Sequence, residues 1–211
     1  MKSEPKKRGR PRSYDPDEAL GNARDVFWHA GYASSSLDEL SSAMSMNRPS
    51  LYGAFGDKEA LYLRTLERYR QDGLAALLDA LAPDRPLREC IAAAYAKALD
   101  IYMGGPVPRG CFLIGTATSE AMRHDAIRQA LLDSLLDFDH AIEARMRLAV
   151  ERGELKPECD AAALAKVASS VMYALAVRAR AGESRSALEA IAETGTHLIC
   201  GSVDGTPATS Q

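Results

Sequence analysis

Several signatures of common protein classes are missing from this chain. Its four cysteines, Cys90, Cys111, Cys159 and Cys200, stand far apart, with no CxxC pair and no Cys/His set at zinc spacing. That argues against a bound metal and against a disulfide framework, and it predicts four reduced thiols. Apolar runs are interrupted by charge well before about 18 residues, and the N-terminus is basic and polar where a signal peptide would be apolar. Neither a membrane span nor a signal peptide is expected, and the cytoplasm is the expected compartment. Strict alternation of β-branched residues is absent as well, which removes the pattern that makes half-buried strands.

What remains is 211 residues with 46% apolar content and charges of both signs, enough for a sizeable core in one or two domains. The net charge of −3 hides an asymmetry. Residues 1–12 carry Lys2, Lys6, Lys7, Arg8, Arg10 and Arg12 against Glu4, a local charge of +5 that leaves −8 on the rest. A basic arm on an acidic body is the distribution expected when one end meets a polyanion.

Helix signals recur along the chain, and the expected fold is all-α. Asp15-Pro16-Asp17-Glu18 opens a first helix with a capping aspartate, a proline in its first turn and a box-like glutamate, and Gly31 stops it. Ser36 and Glu39 form a Ser-x-x-Glu capping box for a second, short helix. Asn47 caps a third that tolerates Pro49 in its first turn and ends at Gly56; Asp57 caps a fourth running to about Leu81. A fifth helix is expected over about 86–103, then a break at GGPVPRG (104–110), shorter helical material in CFLIGTATSEAM, and long helices over about 125–152, 160–181 and 184–200. The tail SVDGTPATSQ (202–211) is polar and is expected to be disordered.

Two short helices joined by a tight turn form the helix-turn-helix pattern. Its second helix enters the major groove if one face packs and the other hydrogen-bonds, as Leu51 and Phe55 inward with Arg48, Ser50 and Gly53 outward would allow. Capped short helices also occur in ordinary bundles, so the pattern alone leaves both readings open.

The run from Gly31-Tyr32 through SSSLDEL to SLYGAFGDKEAL resembles the DNA-binding region of the TetR family of transcriptional regulators, over roughly residues 14–62. Ser45 and Pro49 stand where that family often has glycine: Ser45 in a turn that wants positive φ, Pro49 stiffening the start of the recognition helix. The resemblance implies a helix-turn-helix domain over 14–60 behind a basic disordered arm at 1–13, and a helical ligand-binding and dimerisation domain over 61–201. It implies a partner in double-stranded DNA, with Tyr52 and Lys58 reaching phosphates, Ser36 doing so while it caps, and Asn47, Arg48, Ser50 and Gly53 facing the bases. Packing for Tyr52 and a solvated charge for Arg48 and Lys58 are the plainer alternatives. Arg8 and Arg10 in RGRP suit a minor groove, or belong to a solubilising tail.

The resemblance further implies a small-molecule inducer. Tyr69, Tyr95, Tyr102, Phe112, Met122 and Phe138 are the candidate lining residues, with simple core as the alternative. Cys111, two residues after Arg109, suggests an electrophile or redox sensor if the arginine favours thiolate, and otherwise a small buried residue. Val171, Leu175, Leu188, Ile191 and Leu198 on the last two helices are the candidate homodimer interface. No cofactor is implied. Glu120 with His124, Asp137 with His140 and Asp139 with Glu143 could cluster on helix faces, but no nucleophile, metal set or phosphate loop joins them, so no enzyme is expected. The implied function is a repressor released from a palindromic operator by its inducer. The competing reading is a helical small-molecule-binding or thiol-based sensor that does not act through DNA. Salt-dependent retardation of duplex DNA by the purified protein is the expected outcome, and its absence favours the competing reading.

Overall fold

Nine α-helices occupy residues 15–201, the part of the chain described by the structure, a computed structural model. They are α1 (Pro16–Ala30), α2 (Leu37–Ala43), α3 (Arg48–Phe55), α4 (Lys58–Ala80), α5 (Leu87–Tyr102), α6 (Phe112–Glu120), α7 (Asp125–Glu151), α8 (Ala161–Arg180) and α9 (Arg185–Cys200). The basic arm with Arg8 and Arg10 and the polar tail from residue 202 lie outside the described residues.

Local chemistry sets the first boundaries. Asp15 takes the amides of Asp17 at 2.8 Å and Glu18 at 3.4 Å, so the cap of α1 is its carboxylate. The box at α2 is complete: Glu39 N–H donates to Ser36 Oγ at 3.1 Å and Ser36 N–H to Glu39 Oε2 at 2.8 Å. The Ser36 amide, then its hydroxyl, holds the Glu39 carboxyl below the ordinary range. Asn47 and Asp57 cap α3 and α4 through the amides of Ser50 at 2.9 Å and Ala60 at 2.8 Å. Gly56, at φ 81, separates those two helices.

The turn between α2 and α3 is a Schellman motif without its glycine. Met46 N–H returns to Ser41 O at 2.9 Å and Ser45 N–H to Ser42 O at 3.1 Å, which requires Ser45 to sit at φ 52. Among the described residues it is the one non-glycine with positive φ.

With 23 residues, about 34 Å of helix, α4 passes from this head into the body, packing on α1, α5, α6 and α7. In the body, α8 packs on α5, α7 and α9, and α9 also packs on α5. By length and composition α8 is apolar enough to cross a bilayer, although Lys166 and Arg178 interrupt its apolar run as the sequence suggested. One face accounts for part of that: Ala165, Ala168, Met172, Leu175, Ala176 and Ala179 are buried within the chain.

Two of the expected interface residues are therefore corrected. Leu175 and Leu188 are fully buried inside a single chain and have no surface left for a partner. The face of α8 that is open lies to the other side, at Val167, Ala174 and Val177. On α9, Leu198 is 74% exposed and Ile191 is half-buried, as is Val171 on α8. Val171 also closes the α8–α9 seam, since a Cβ placed on Gly195 would lie 3.1 Å from its Cγ1.

Replacing Ser45 with glycine should stabilise the protein by about 0.5–1 kcal/mol, the left-handed penalty relieved less the added chain entropy of glycine. Urea unfolding measures it, and a loss of stability contradicts the assigned turn.

Candidate nucleic-acid interface and internal cavity

Leu51 and Phe55 are buried and anchor α3, whereas Asn47, Arg48, Ser50, Tyr52 and Gly53 are all exposed. The expected recognition face is therefore open as one surface. Nothing lies within 4 Å of where a Cβ on Gly53 would stand, so its backbone is open to close approach. Asn47 spends its Oδ1 on the cap and keeps its amide NH2 for an outside acceptor. Arg48 donates from Nε to Asp38 Oδ1 at 2.8 Å, and its Nη2 lies 2.7 Å from Asp38 Oδ2 in an ion pair, across the turn from the first turn of α2.

Lys58 is placed less simply than the sequence suggested. Its ammonium lies 4.7 Å above the Tyr32 ring and donates to Ala33 O at 3.3 Å, and partial burial lowers its pKa. It holds the α1–α2 turn as well as standing at the edge of the open face. Sequence reasoning gave no role to Asp38 or to Arg64, which donates to Ala54 O at 3.1 Å and lies over Phe55. Both pairs are ten residues apart in sequence and meet because the chain turns between them.

Head and body meet at an aromatic seat. Trp28 on α1 packs against Tyr69 on α4 (ring centroids 5.4 Å) and Phe112 on α6 (5.6 Å), and Tyr62 packs against Phe27 (5.0 Å) and Phe112 (5.8 Å). Arg109 covers Trp28 at 4.2 Å, pairs with Asp25 at 3.1 Å, and accepts from the Trp28 indole at 3.2 Å through its carbonyl. A second link joins the start of α7 to α4: His124 Nδ1 lies 2.7 Å from Glu59 Oε2 and its Nε2 3.9 Å from Glu120, with the ring edge-on to Tyr32. The Glu120–His124 pair thus belongs to a junction between head and body.

An internal cavity of about 50 Å³ lies among α4, α5, α7 and α8. Three of the expected lining residues meet there, Tyr69, Tyr102 and Phe138, together with Cys111, and they are joined by Met172 and Tyr173, which sequence reasoning did not single out. The other three are corrected. Tyr95 is core, its hydroxyl donating to Ala168 O at 3.1 Å; Phe112 is fully buried in the aromatic seat; Met122, in the turn after α6, is 88% exposed. The thiolate idea for Cys111 is corrected too. Burial pushes its thiol pKa up, Tyr69 donates to its sulfur at 3.6 Å, and Arg109 is committed to Trp28 and Asp25. Arg70, paired with Asp137 and with Glu67, and Ser134 line both the cavity and an open groove of about 680 Å³ between α4 and α7.

A family model described as bacterial regulatory proteins, tetR family, matches residues 19–65, and one described as tetracyclin repressor-like, C-terminal domain, matches residues 88–194. The chain belongs to the TetR family. This TetR-family protein is a DNA-binding transcriptional regulator. It is 30% identical over 195 residues to the HTH-type transcriptional repressor ComR of Escherichia coli (strain K12), covering 92% of each chain. To BdcR, an HTH-type transcriptional repressor of the same organism, it is 30% identical over 192 residues, covering 90% of this chain and 92% of that protein. Among solved structures, a cysteine-substituted CifR, a TetR family transcriptional regulator complexed with a 26-bp double-strand operator DNA, matches with a TM-score of 0.83 and 32% identity. The match covers 90% of this chain and 98% of that one.

Trp28 is the sole tryptophan and reports on the seat directly. Arg109→Ala should cost about 1 kcal/mol of stability and alter Trp28 fluorescence in the folded protein. Unchanged emission and unchanged urea unfolding contradict that packing.

Proposed function

We propose that this protein is a homodimeric repressor, acting in the cytoplasm, that holds a palindromic operator through α3 and releases it when a small molecule enters the body. The observation that carries the reading is the division of α3 into a buried Leu51/Phe55 face and an open Asn47/Arg48/Ser50/Tyr52/Gly53 face, in a fold that CifR shares in complex with operator DNA. Asn47, Arg48, Ser50 and Gly53 face the bases; the hydroxyls of Ser36 and Tyr52 and the ammonium of Lys58 meet the phosphates on either side. Residues 14–60 form the DNA-binding unit, and 61–201 the effector-binding and dimerising unit.

Dimerisation follows from the outer face of α8 and α9, where Val167, Val177 and Leu198 leave apolar surface uncovered by the chain itself. An isologous pairing there sets two recognition helices about 34–36 Å apart, one turn of duplex. The effector site is the cavity among α4, α5, α7 and α8. At about 50 Å³ it is far below the volume of roughly 300–1,000 Å³ that drug-sized ligands occupy, so a ligand favours a wider conformer over the one seen. Tyr69 lines that cavity and also packs on Trp28 in the head, so widening it moves α1 and α4 against each other.

Selection of bound genomic fragments by the purified protein, repeated with a metabolite library, tests the whole reading; the expected result is a palindromic site and at least one releasing compound. Val177→Glu combined with Leu198→Glu should give a folded monomer by analytical ultracentrifugation with operator binding lost. A dimer that survives both charges refutes the proposed interface.

A further inference from the structure

The Arg48–Asp38 fork has a consequence for how α3 reads sequence. Arg48 is the first residue of α3, the end of a recognition helix that approaches base edges, and Asp38 reaches it from the first turn of α2. The carboxylate takes the Nε and Nη2 side of the guanidinium, at 2.8 and 2.7 Å. Both Nη1 protons and the second Nη2 proton stay free, and one proton from each of these nitrogens forms the end-on edge of the planar group. Guanine offers O6 and N7 side by side in the major groove, and two convergent donors on one plane are what that pair accepts.

Both side chains are largely exposed, 53% for Arg48 and 77% for Asp38. An exposed pair adds little to folding stability, so its effect falls on orientation. A free arginine at this position would swing among rotamers and find phosphates as readily as bases; the fork removes that freedom before DNA arrives.

We propose that Asp38 is a positioning residue for sequence recognition: it holds the Arg48 guanidinium side-on so that its end-on edge meets a guanine in the operator. The proposal rests on the reading that α3 faces the bases. Asp38 itself bears a negative charge near the DNA backbone, so it lowers affinity for duplex in general while raising discrimination for one base. Those two effects have opposite signs, and a merely structural role for Asp38 would not separate them.

The experiment is a double-mutant cycle on the full-length protein: the parent chain, Asp38→Ala, Arg48→Ala and the double variant. Each is measured on the selected operator, on operators substituted at each guanine, and on random duplex, over a range of salt. Arg48→Ala should lose about tenfold to a hundredfold in discrimination at one guanine. Asp38→Ala should lose about threefold or more at that same guanine, bind random duplex more tightly, and show a steeper salt dependence as the freed arginine takes a phosphate. In the Arg48→Ala background, Asp38→Ala should change discrimination no further. Asp38 acts through Ser36 and Glu39 in no observed bond, so the α2 cap survives and far-UV circular dichroism should be unchanged.

If Asp38→Ala keeps or raises discrimination while Arg48→Ala loses it, the fork is a brake that DNA must break, and the positioning role is overturned. Additive losses in the cycle overturn it as well, since Asp38 would then act independently of Arg48. If Arg48→Ala leaves every guanine equally well discriminated, the base-reading role of Arg48 fails and this inference falls with it, a result distinct from the other two.

Discussion

Tyr62 is buried without any exposed surface where α1, α4 and α6 converge, and a phenol in that position has to find a hydrogen-bond partner or cost the fold dearly. It lies 2.5 Å from Thr116 Oγ1, and Thr116 in turn donates to Phe112 O at 2.7 Å, so the tyrosine is left as the donor of the first bond. Burial pushes its pKa above the ordinary phenol range, which keeps that proton in place at neutral pH. The rings of Phe27, Tyr32 and Phe112 close around it. This seat decides the angle at which the head stands on the body. The position of α3 relative to the body depends on that angle.

Local caps start every helix of the head, whereas in the body some termini depend on residues distant in sequence. Caps at Asp15, Ser36, Asn47 and Asp57 start four helices within 43 residues, and glycines at positive φ end two of them. In the body, α5 has no capping side chain of its own; the amide of Leu87 is met by Glu154 from beyond α7, and Glu154 is held by the buried Arg145 at 3.1 Å. One terminus is satisfied by neighbours in sequence, the other by a residue 67 positions away.

The cavity and the seat share Tyr69, and that sharing couples them mechanically. Its ring packs edge-on to Trp28 while its hydroxyl meets Cys111 in the cavity wall. Phe138 presses on α4 at Gly73, where a Cβ would come within 3.1 Å of its ring. Any widening of the cavity therefore displaces side chains already in contact with α4. Packed interiors respond to such displacement by shifting whole elements, because they have little free volume to absorb it.

The sequence by itself determined the all-α class, the helix boundaries in the head and the open face of α3, since caps, breakers and 3.6-residue spacing act over a few residues. The positive φ at Ser45 was suggested by the resemblance, which places glycine there, and the Schellman bonds of the fold supply its reason. Tertiary structure decided the rest. Leu175, Leu188, Tyr95 and Phe112 carry the same apolar signal whether a helix face meets its own chain, a ligand or a second copy, and periodicity does not separate those partners. Met122 looked like a lining residue and stands in solvent because the chain turns between α6 and α7. Arg48 was legible as an exposed cation, but its partner Asp38 was not: a charge pair ten residues apart exists only once the turn has folded, and so does the orientation it imposes.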